Sequence, residues 1–181
     1  QNAFNDGNLY CNYDELDQRV SKLLGINLNY LEAINLLIDE NKVKEEDGNY
    51  FLNEVYYSEI SIAKSITQIN NNGVLDVDQS VLQTMLARVS IQKGIDYTEK
   101  QIEAIISAMV NSFTIITGGP GTGKTTLVDG LLALYCDYFR IKPKSEEARL
   151  KIGLMAPTGR ASKRMKELLG LDARTIHSHL G

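Results

Sequence analysis

Apolar residues in the first 70 positions recur every three or four residues, which predicts amphipathic helices. The first helix is predicted to end at Gly25, because glycine suits the conformation that follows a helix C-terminus. Asn29 is placed to cap a second helix, with Glu32 three positions later as in a capping box. A third helix is predicted from Ser58. The three apolar stripes are Leu16, Val20, Leu23 and Leu24, then Leu31, Ile34, Leu37 and Ile38, then Ile62, Ala63, Ile66 and Ile69.

A hairpin is predicted between the second and third helices. The pair Asp47-Gly48 separates residues 43–46 from residues 49–52. An Asp-Gly pair between two such runs is a strong signal for a two-residue turn. Two helices, a hairpin and a further helix resemble a winged-helix arrangement, a module that often binds DNA through its second helix.

The charges on the second helix argue against DNA binding by this module. The helix carries Glu32, Asp39 and Glu40, and no lysine or arginine precedes Lys42. These carboxylates would repel DNA phosphates. We therefore favour protein packing or a spacer role, and we expect any partner of this module to be a protein.

Charge and helix-breaking residues divide the chain near residue 75. The polar run at 70–73, Asn-Asn-Asn-Gly, is the best candidate linker. Residues 1–75 carry 5 basic and 12 acidic side chains, a net charge of −7, whereas the remainder carries 14 and 11, a net charge of +3. The basic part is suited to a polyanion, although uneven surface charge alone would also account for the difference. We predict a helical module over 1–75, a connecting helix and linker over 76–95, and a second domain over 96–181.

Composition excludes several classes of protein. With 43% apolar and 23% charged residues, the 181-residue chain is globular rather than disordered. No run approaches the ~18 apolar residues of a membrane span, so we expect no membrane partner. Cys11 and Cys136 are too few for a disulfide framework and lack metal-ligand spacing, which favours packed thiols in a reducing cytoplasm.

The segment 118–125 matches the phosphate-loop pattern G-x-x-x-x-G-K-[ST]. A β-branched run at 113–117 precedes it, which predicts the buried strand that leads into such a loop. A largely apolar helix follows, as expected behind a sheet. The residues expected to surround a bound nucleotide are Gly118, Gly119, Pro120, Gly121, Thr122, Gly123, Lys124, Thr125 and Thr126.

The residue types in this loop suit phosphate chemistry. Glycines let backbone N–H groups converge on phosphate oxygens where a side chain would collide. The helix that opens at Lys124 adds the positive end of its dipole. We expect Lys124 to reach the β- and γ-phosphates of ATP and the Thr125 hydroxyl to ligate Mg²⁺.

Two further patterns flank the loop. Thr98 and Gln101 have capping-box spacing ahead of an apolar helix, and a well-capped helix by itself accounts for Gln101. A second strand is predicted at 152–156, parallel to the first and followed by a turn at the same carboxyl edge. The next helix places four residues inward, Ala161, Met165, Leu168 and Leu169, and four basic residues outward, Arg160, Lys163, Arg164 and Lys166. That basic face suits a nucleic-acid backbone, and a merely solvated face is an equal alternative.

Together these motifs resemble the start of a superfamily 1 helicase motor of the RecD-like kind, the exodeoxyribonuclease V alpha-subunit type. Residues 98–101, 116–126, 156–161 and 175–178 occur in that family's order. The segment beginning Tyr56-Tyr57-Ser58-Glu59 also resembles the helical region before the motor in stand-alone RecD-like helicases. The implied fold class is α/β: an incomplete RecA-like P-loop NTPase domain with a parallel sheet, preceded by the small, mainly helical, winged-helix-like module.

The resemblance implies ATP-driven 5′-to-3′ unwinding of DNA in repair or recombination. Gln101 would read the adenine edge through its amide. Single-stranded or tailed DNA would contact two segments, formed by Pro157, Thr158, Gly159 and Arg160 and by Thr175 and His177.

Parts of such a motor are missing from the sequence. No apolar strand ending in Asp-Glu follows the loop, and the second motor domain with its arginine finger is absent. We therefore expect a fragment that ends inside the first motor domain and that neither unwinds DNA nor turns over ATP appreciably. Two alternatives stay open: a DNA-loading or AAA-type ATPase, and a non-catalytic adaptor that binds a protein through the acidic module.

Overall fold

The computed structural model describes residues 7–25, 30–71 and 76–181. Its contacts divide the chain into two units, Gln1–Gln68 and Ile69–Gly181. Within the described ranges, no helix has both the length and the apolar character that crossing a membrane requires.

The first unit combines helices with a small antiparallel sheet. Its strands lie in the order β1-β3-β2. The elements are β1 (Tyr10–Asn12), α1 (Tyr13–Leu24), α2 (Leu31–Asp39), β2 (Val43–Glu46), β3 (Asn49–Leu52) and α3 (Asn53–Asn71).

The predicted hairpin is confirmed, and its turn explains its register. Asp47 and Gly48 both have positive φ, 51° and 77°, as the two central residues of a type I′ turn require. Glu46 therefore pairs with Asn49, and Val43 with Leu52. Strand β1, which the apolar pattern did not predict, pairs with the outer edge of β3.

The first helix is also confirmed. Asn12 accepts a hydrogen bond from the Glu15 amide at 2.9 Å, and Gly25 ends the helix at φ 69°. The hydroxyl of Tyr30 donates to the Asp17 carboxylate at 2.6 Å, which ties the start of α2 to α1. That hydrogen bond raises the pKa of the Tyr30 hydroxyl above its usual value.

Other expectations for this unit are wrong in detail. Helix α3 begins at Asn53, directly after β3, rather than at Ser58. Ile34 is the one buried residue of α2, and α3 buries none, so that Ile62 is 59% exposed. Helical periodicity shows which residues share a face and does not show whether another element covers that face. The predicted cap Asn29 and part of the predicted linker lie outside the described residues.

The second unit holds six helices and a pair of strands among the residues described. Its elements are α4 (Gln79–Lys93), α5 (Glu99–Val110), α6 (Lys124–Tyr138), α7 (Glu146–Lys151), β4 (Leu154–Ala156), α8 (Gly159–Leu169), β5 (Ala173–Thr175) and α9 (Ile176–Leu180).

The main core of this unit lies among α4, α5 and α6. Its buried residues are Leu82, Leu86, Val89, Tyr97, Ile105, Ile106, Met109, Val110, Leu127 and Leu134. In α4, Leu82, Leu86 and Val89 are buried and Met85 is partly buried, whereas Val81 is exposed. Because α4 packs into this core, residues 76–95 belong to the second unit rather than forming only a connection.

The βαβ unit is formed by β4, α8 and β5, whereas the sequence predicted it from the run 113–117 and a strand at 152–156. Strands β4 and β5 pair in parallel, with α8 between them. The strand predicted at 113–117 does not form, and among the described residues this run pairs with neither β4 nor β5. Ile115 is consequently 72% exposed. In α8 the buried residue is Ser162, while Leu168, predicted to face inward, is 55% exposed.

Gly130 is the point of closest approach between α6 and the residues before α5. A methyl group at this position would lie 2.6 Å from the Tyr97 hydroxyl oxygen and 3.0 Å from the ring carbon Cε1. Tyr97 is only 9% exposed and its hydroxyl has no hydrogen-bond partner among the described residues. A side chain at 130 would therefore force a buried ring to move.

We expect Gly130→Ala to destabilise the chain by about 1–3 kcal/mol, the usual cost of overpacking, even though alanine favours helix by ~1 kcal/mol. Urea unfolding followed by circular dichroism measures the change. Gly159→Ala in α8 is the matched control, since nothing lies within 4 Å of its added methyl group. Equal stabilities for the two variants would contradict the packing described.

Candidate functional site

The phosphate loop runs from Gly118 into the first turn of α6. Gly121 and Gly123 have positive φ, 76° and 79°, a conformation that costs any other residue strain. Gly123 stands at the helix N-terminus and offers no side-chain hydrogen bond to it. The first amide groups of α6 therefore lack the side-chain cap that would otherwise occupy them, as an anion site at a helix N-terminus requires.

Thr122 holds the first half of the loop. Its hydroxyl donates to the Gly119 carbonyl at 2.9 Å. The same oxygen would lie 2.8 Å from a methyl group at Gly118. Glycine at 118 thus allows the loop to fold closely on itself as well as to approach a phosphate.

Lys124 folds back over the loop. Its ammonium donates to the carbonyls of Gly118 at 2.6 Å and Gly119 at 2.5 Å. These two bonds hold the positive charge against the loop backbone. An ammonium has three donors, so one remains for a phosphate oxygen while both bonds are kept.

Gln101 lies beside the loop although 21 residues separate it from Thr122. Its amide oxygen accepts from the Thr98 amide at 3.0 Å, and its amide nitrogen donates to the Thr122 carbonyl at 3.4 Å. The predicted capping box is confirmed, since the Thr98 hydroxyl also accepts from the Gln101 amide. A primary amide has two acceptor and two donor positions, so Gln101 retains one of each.

Thr125 lies in the first turn of α6 and is exposed. No partner for its hydroxyl is found among the described residues. The described ranges also contain no cluster of three or more histidine, cysteine, aspartate or glutamate side chains suited to a metal. A Mg²⁺ ion here would rely on the Thr125 hydroxyl, the phosphates and water, the ligand set that Mg²⁺ commonly takes in nucleotide sites.

The two segments predicted to contact DNA meet at one edge of the β4–β5 pair. Ala156 and Thr175 are partners in the parallel ladder, so the chain leaves both strands at the same carboxyl edge. Thr158 and Thr175 then cap the helices that follow, accepting from Ala161 at 3.2 Å and Ser178 at 3.1 Å. Pro157, Gly159, Arg160 and His177 are exposed at this edge.

Three of the four basic residues on α8 are free of carboxylates. Lys166 pairs with Asp172 at 2.7 Å. In the part of the chain that the structure describes, no acidic side chain pairs with Arg160, Lys163 or Arg164, and all three are exposed. Positive charge therefore remains beside the carboxyl edge. Whether the phosphate loop reaches the same edge stays a prediction, because 113–117 does not pair with β4.

Sequence analysis did not predict the contacts that α6 makes with Tyr97 and with α4. Tyr97 packs against Gly130 as described above, and Lys93 on α4 pairs with Asp129 on α6 at 2.7 Å. Burial, with a smaller contribution from Asp129, raises the pKa of the Tyr97 hydroxyl. The one available signal was a glycine inside an apolar helix, which usually marks a close packing contact.

Comparison with known proteins agrees with this geometry. Residues 101–181 match the AAA domain family. The RecBCD enzyme subunit RecD of Mycolicibacterium smegmatis is 38% identical over 99 residues, 46% of this chain and 17% of the relative. RecD of Haemophilus influenzae is 44% identical over 70 residues, 39% of this chain and 10% of the relative. The ATP-dependent RecD2 DNA helicase of Deinococcus radiodurans is 34% identical over 90 residues, 50% of this chain and 11% of the relative.

The loop geometry and the match over residues 101–181 fit an AAA-type, P-loop NTPase domain in the second unit. The matched relatives support a RecD-like fragment, as the motifs predicted. The chain spans less than a fifth of the length of each of these relatives.

The close approach of Gly123 to Gln101 can be tested by substitution. A methyl group at Gly123 would lie 2.7 Å from the Gln101 amide nitrogen, whereas one at Gly121 meets nothing within 4 Å. Both glycines have the same left-handed backbone, so both alanine variants carry similar backbone strain of about 1–2 kcal/mol. We expect Gly123→Ala to be the less stable of the two in urea unfolding.

A double-mutant cycle isolates the collision. In a Gln101→Ala background the difference between the two glycine variants should disappear, because the amide is gone. A difference that survives Gln101→Ala would show that Gln101 does not lie against the loop.

Proposed function

We propose that this chain is the Mg-ATP-binding part of an ATP-dependent DNA helicase motor that acts in DNA repair or recombination. The observation that carries the proposal is the phosphate loop with Lys124 poised above it and Gln101 packed against it. The RecD and RecD2 names of the relatives support DNA as the substrate. The carboxyl edge of β4 and β5 supplies a place for that DNA.

In this proposal ATP binds along the phosphate loop. The glycine amides and the first turn of α6 bind the phosphates. Lys124 keeps its hold on the loop carbonyls and gives its third donor to the β- and γ-phosphates. Gln101 uses its remaining acceptor and donor on the adenine edge, so that neither residue has to give up its present bonds.

Mg²⁺ fits the same place through Thr125. When bound, the ion neutralises phosphate charge and polarises the γ-phosphoryl group. Thr125 would offer its hydroxyl to the ion from the first turn of α6, next to the loop that would bind the phosphates. ATP turnover and 5′-to-3′ unwinding would further require a group that activates water and an arginine finger.

Single-stranded DNA would cross the carboxyl edge. Pro157, Thr158, Gly159 and Arg160 would contact it after β4, and Thr175 and His177 after β5. Thr158 and Thr175 cap helices, so they also fix the backbone that carries Arg160 and His177. The free charges on α8 would attract the phosphates.

Mg-ATP-γ-S titrated into the chain by calorimetry should show saturable binding at one site. Lys124→Ala should weaken it roughly 10- to 100-fold, since hydrogen bonds to charged groups contribute about 1.5–3 kcal/mol. Chelation of Mg²⁺ by EDTA should also weaken binding.

Lys22→Ala, at the end of α1, removes a lysine of the first unit and should leave the titration unchanged. A folded chain that binds no nucleotide, or that binds equally well as Lys124→Ala, would refute the proposed site.

Binding of a fluorescein-labelled oligothymidine tests the DNA edge by anisotropy. Arg160→Gln should weaken binding and reduce the dependence of log K on log salt by about 0.7, the value for one contact with a single strand. Lys64→Gln on α3 is the charge-matched control. The same loss in both variants would show a general charge effect and argue against contact at Arg160.

A further inference from the structure

A second concave site lies at the opposite edge of β4 and β5. Its cavity has a volume of about 170 Å³ and lies between α7, the amino ends of both strands and α9. The side chains of Arg149, Arg174 and His179 line it together with Asp172. None of these residues belongs to the phosphate loop or to the segments proposed to contact DNA.

Positive charge at this cavity exceeds negative charge. Asp172 accepts from Lys166 at 2.7 Å and from Arg149 at 3.3 Å. Arg174 lies close enough to help lower the pKa of Asp172, after the larger effects of Lys166 and Arg149. Three cations thus surround one carboxylate, an excess of two positive charges among the described residues.

Hydrogen-bond donors remain available in the cluster. A guanidinium has five N–H donors, and Arg149 uses its Nε on Asp172. In the described part of the chain Arg174 has no ion-pair partner. The His179 ring lies over Gly153, 3.7 Å from where a methyl group of that residue would stand. These donors come from three elements and converge on one space.

The volume and the lining of the cavity limit the kind of ligand that it can bind. Ala148, Ile152 and Leu171 contribute apolar surface to the lining. Pockets for drug-sized molecules measure ~300–1,000 Å³, so this cavity is too small for a whole nucleotide. A compact anion with several acceptor oxygens matches both the volume and the forked arginine donors.

We propose that this cavity binds a phosphate group through Arg149, Arg174 and His179, with Asp172 as the internal anion that the phosphate displaces in part. The group comes from free phosphate or from the backbone of a nucleic acid. Each strand of the pair is three residues long, ~10 Å, so this site and the carboxyl edge lie at opposite ends of the same two strands.

The ring signals of His179 provide a local readout. The chain has two histidines, so His177→Gln assigns the resonances. Inorganic phosphate titrated at constant pH and ionic strength should move the His179 Cε1–H signal saturably. The shift should persist in Lys124→Ala, because Lys124 belongs to the phosphate loop and not to this cavity. Failure of ATP binding at the loop would therefore leave this result unchanged.

Three substitutions should change phosphate affinity: two should weaken it and one should tighten it. Arg149→Gln and Arg174→Gln should each weaken it about tenfold, because each removes a charged donor. Asp172→Asn should tighten it about tenfold, because Lys166 and Arg149 lose their internal acceptor. Arg88→Gln on α4 removes one exposed charge elsewhere and should have no effect. Circular dichroism confirms folding of each variant.

A salt bridge that serves only stability would give a different pattern. It predicts no saturable His179 shift, or the same shift in Arg174→Gln as in the unchanged chain, and either result overturns the proposal. Where the shift is present, oligothymidine identifies the source of the phosphate. If the oligonucleotide moves the same signal with the same variant order, the ligand is backbone phosphate. If only inorganic phosphate moves it, the ligand is a free anion.

Discussion

Helix α6 packs against α5 and α4 through one set of buried apolar side chains, and the position of Gln101 beside the phosphate loop depends on that contact. The loop ends where α6 begins, and Gln101 belongs to the first turn of α5. Bringing the two helices together therefore places the Gln101 amide against the Thr122 carbonyl. Gly123 and Gly130 allow the approach, since a methyl group at either would collide with Gln101 or Tyr97.

The loop is held in shape by its own residues. Lys124 bonds to the carbonyls of Gly118 and Gly119, Thr122 also bonds to that of Gly119, and Gln101 bonds to both Thr98 and Thr122. A site whose groups are already in place loses less conformational freedom when a ligand binds. Each of these side chains still keeps a free donor or acceptor, so the ordered loop can still form hydrogen bonds to a ligand.

The short parallel pair β4–β5 organises charge at both of its ends. The carboxyl ends carry the capped helix starts and the free arginines and lysine of α8. The amino ends carry the cluster around Asp172, where three cations share one carboxylate. Because parallel strands bring like ends together, residues about 20 positions apart in sequence form a single surface at each edge.

Local rules determined much of this protein from sequence. The Asp47-Gly48 hairpin, the cap at Thr98, the stop at Gly25 and the phosphate-loop pattern each depend on residues within a few positions of one another, and each is found. Tertiary structure decided which apolar faces are covered, which strands pair and which glycines mark close packing. Among the described residues, the run 113–117 has the composition of a strand but pairs with no other strand, and the apolar stripe of α3 leaves Ile62 59% exposed. The packing role of Gly130 is evident only from its close approach to Tyr97. Propensity and capping act within one turn of chain, whereas burial and strand pairing require a second segment whose position no local pattern specifies.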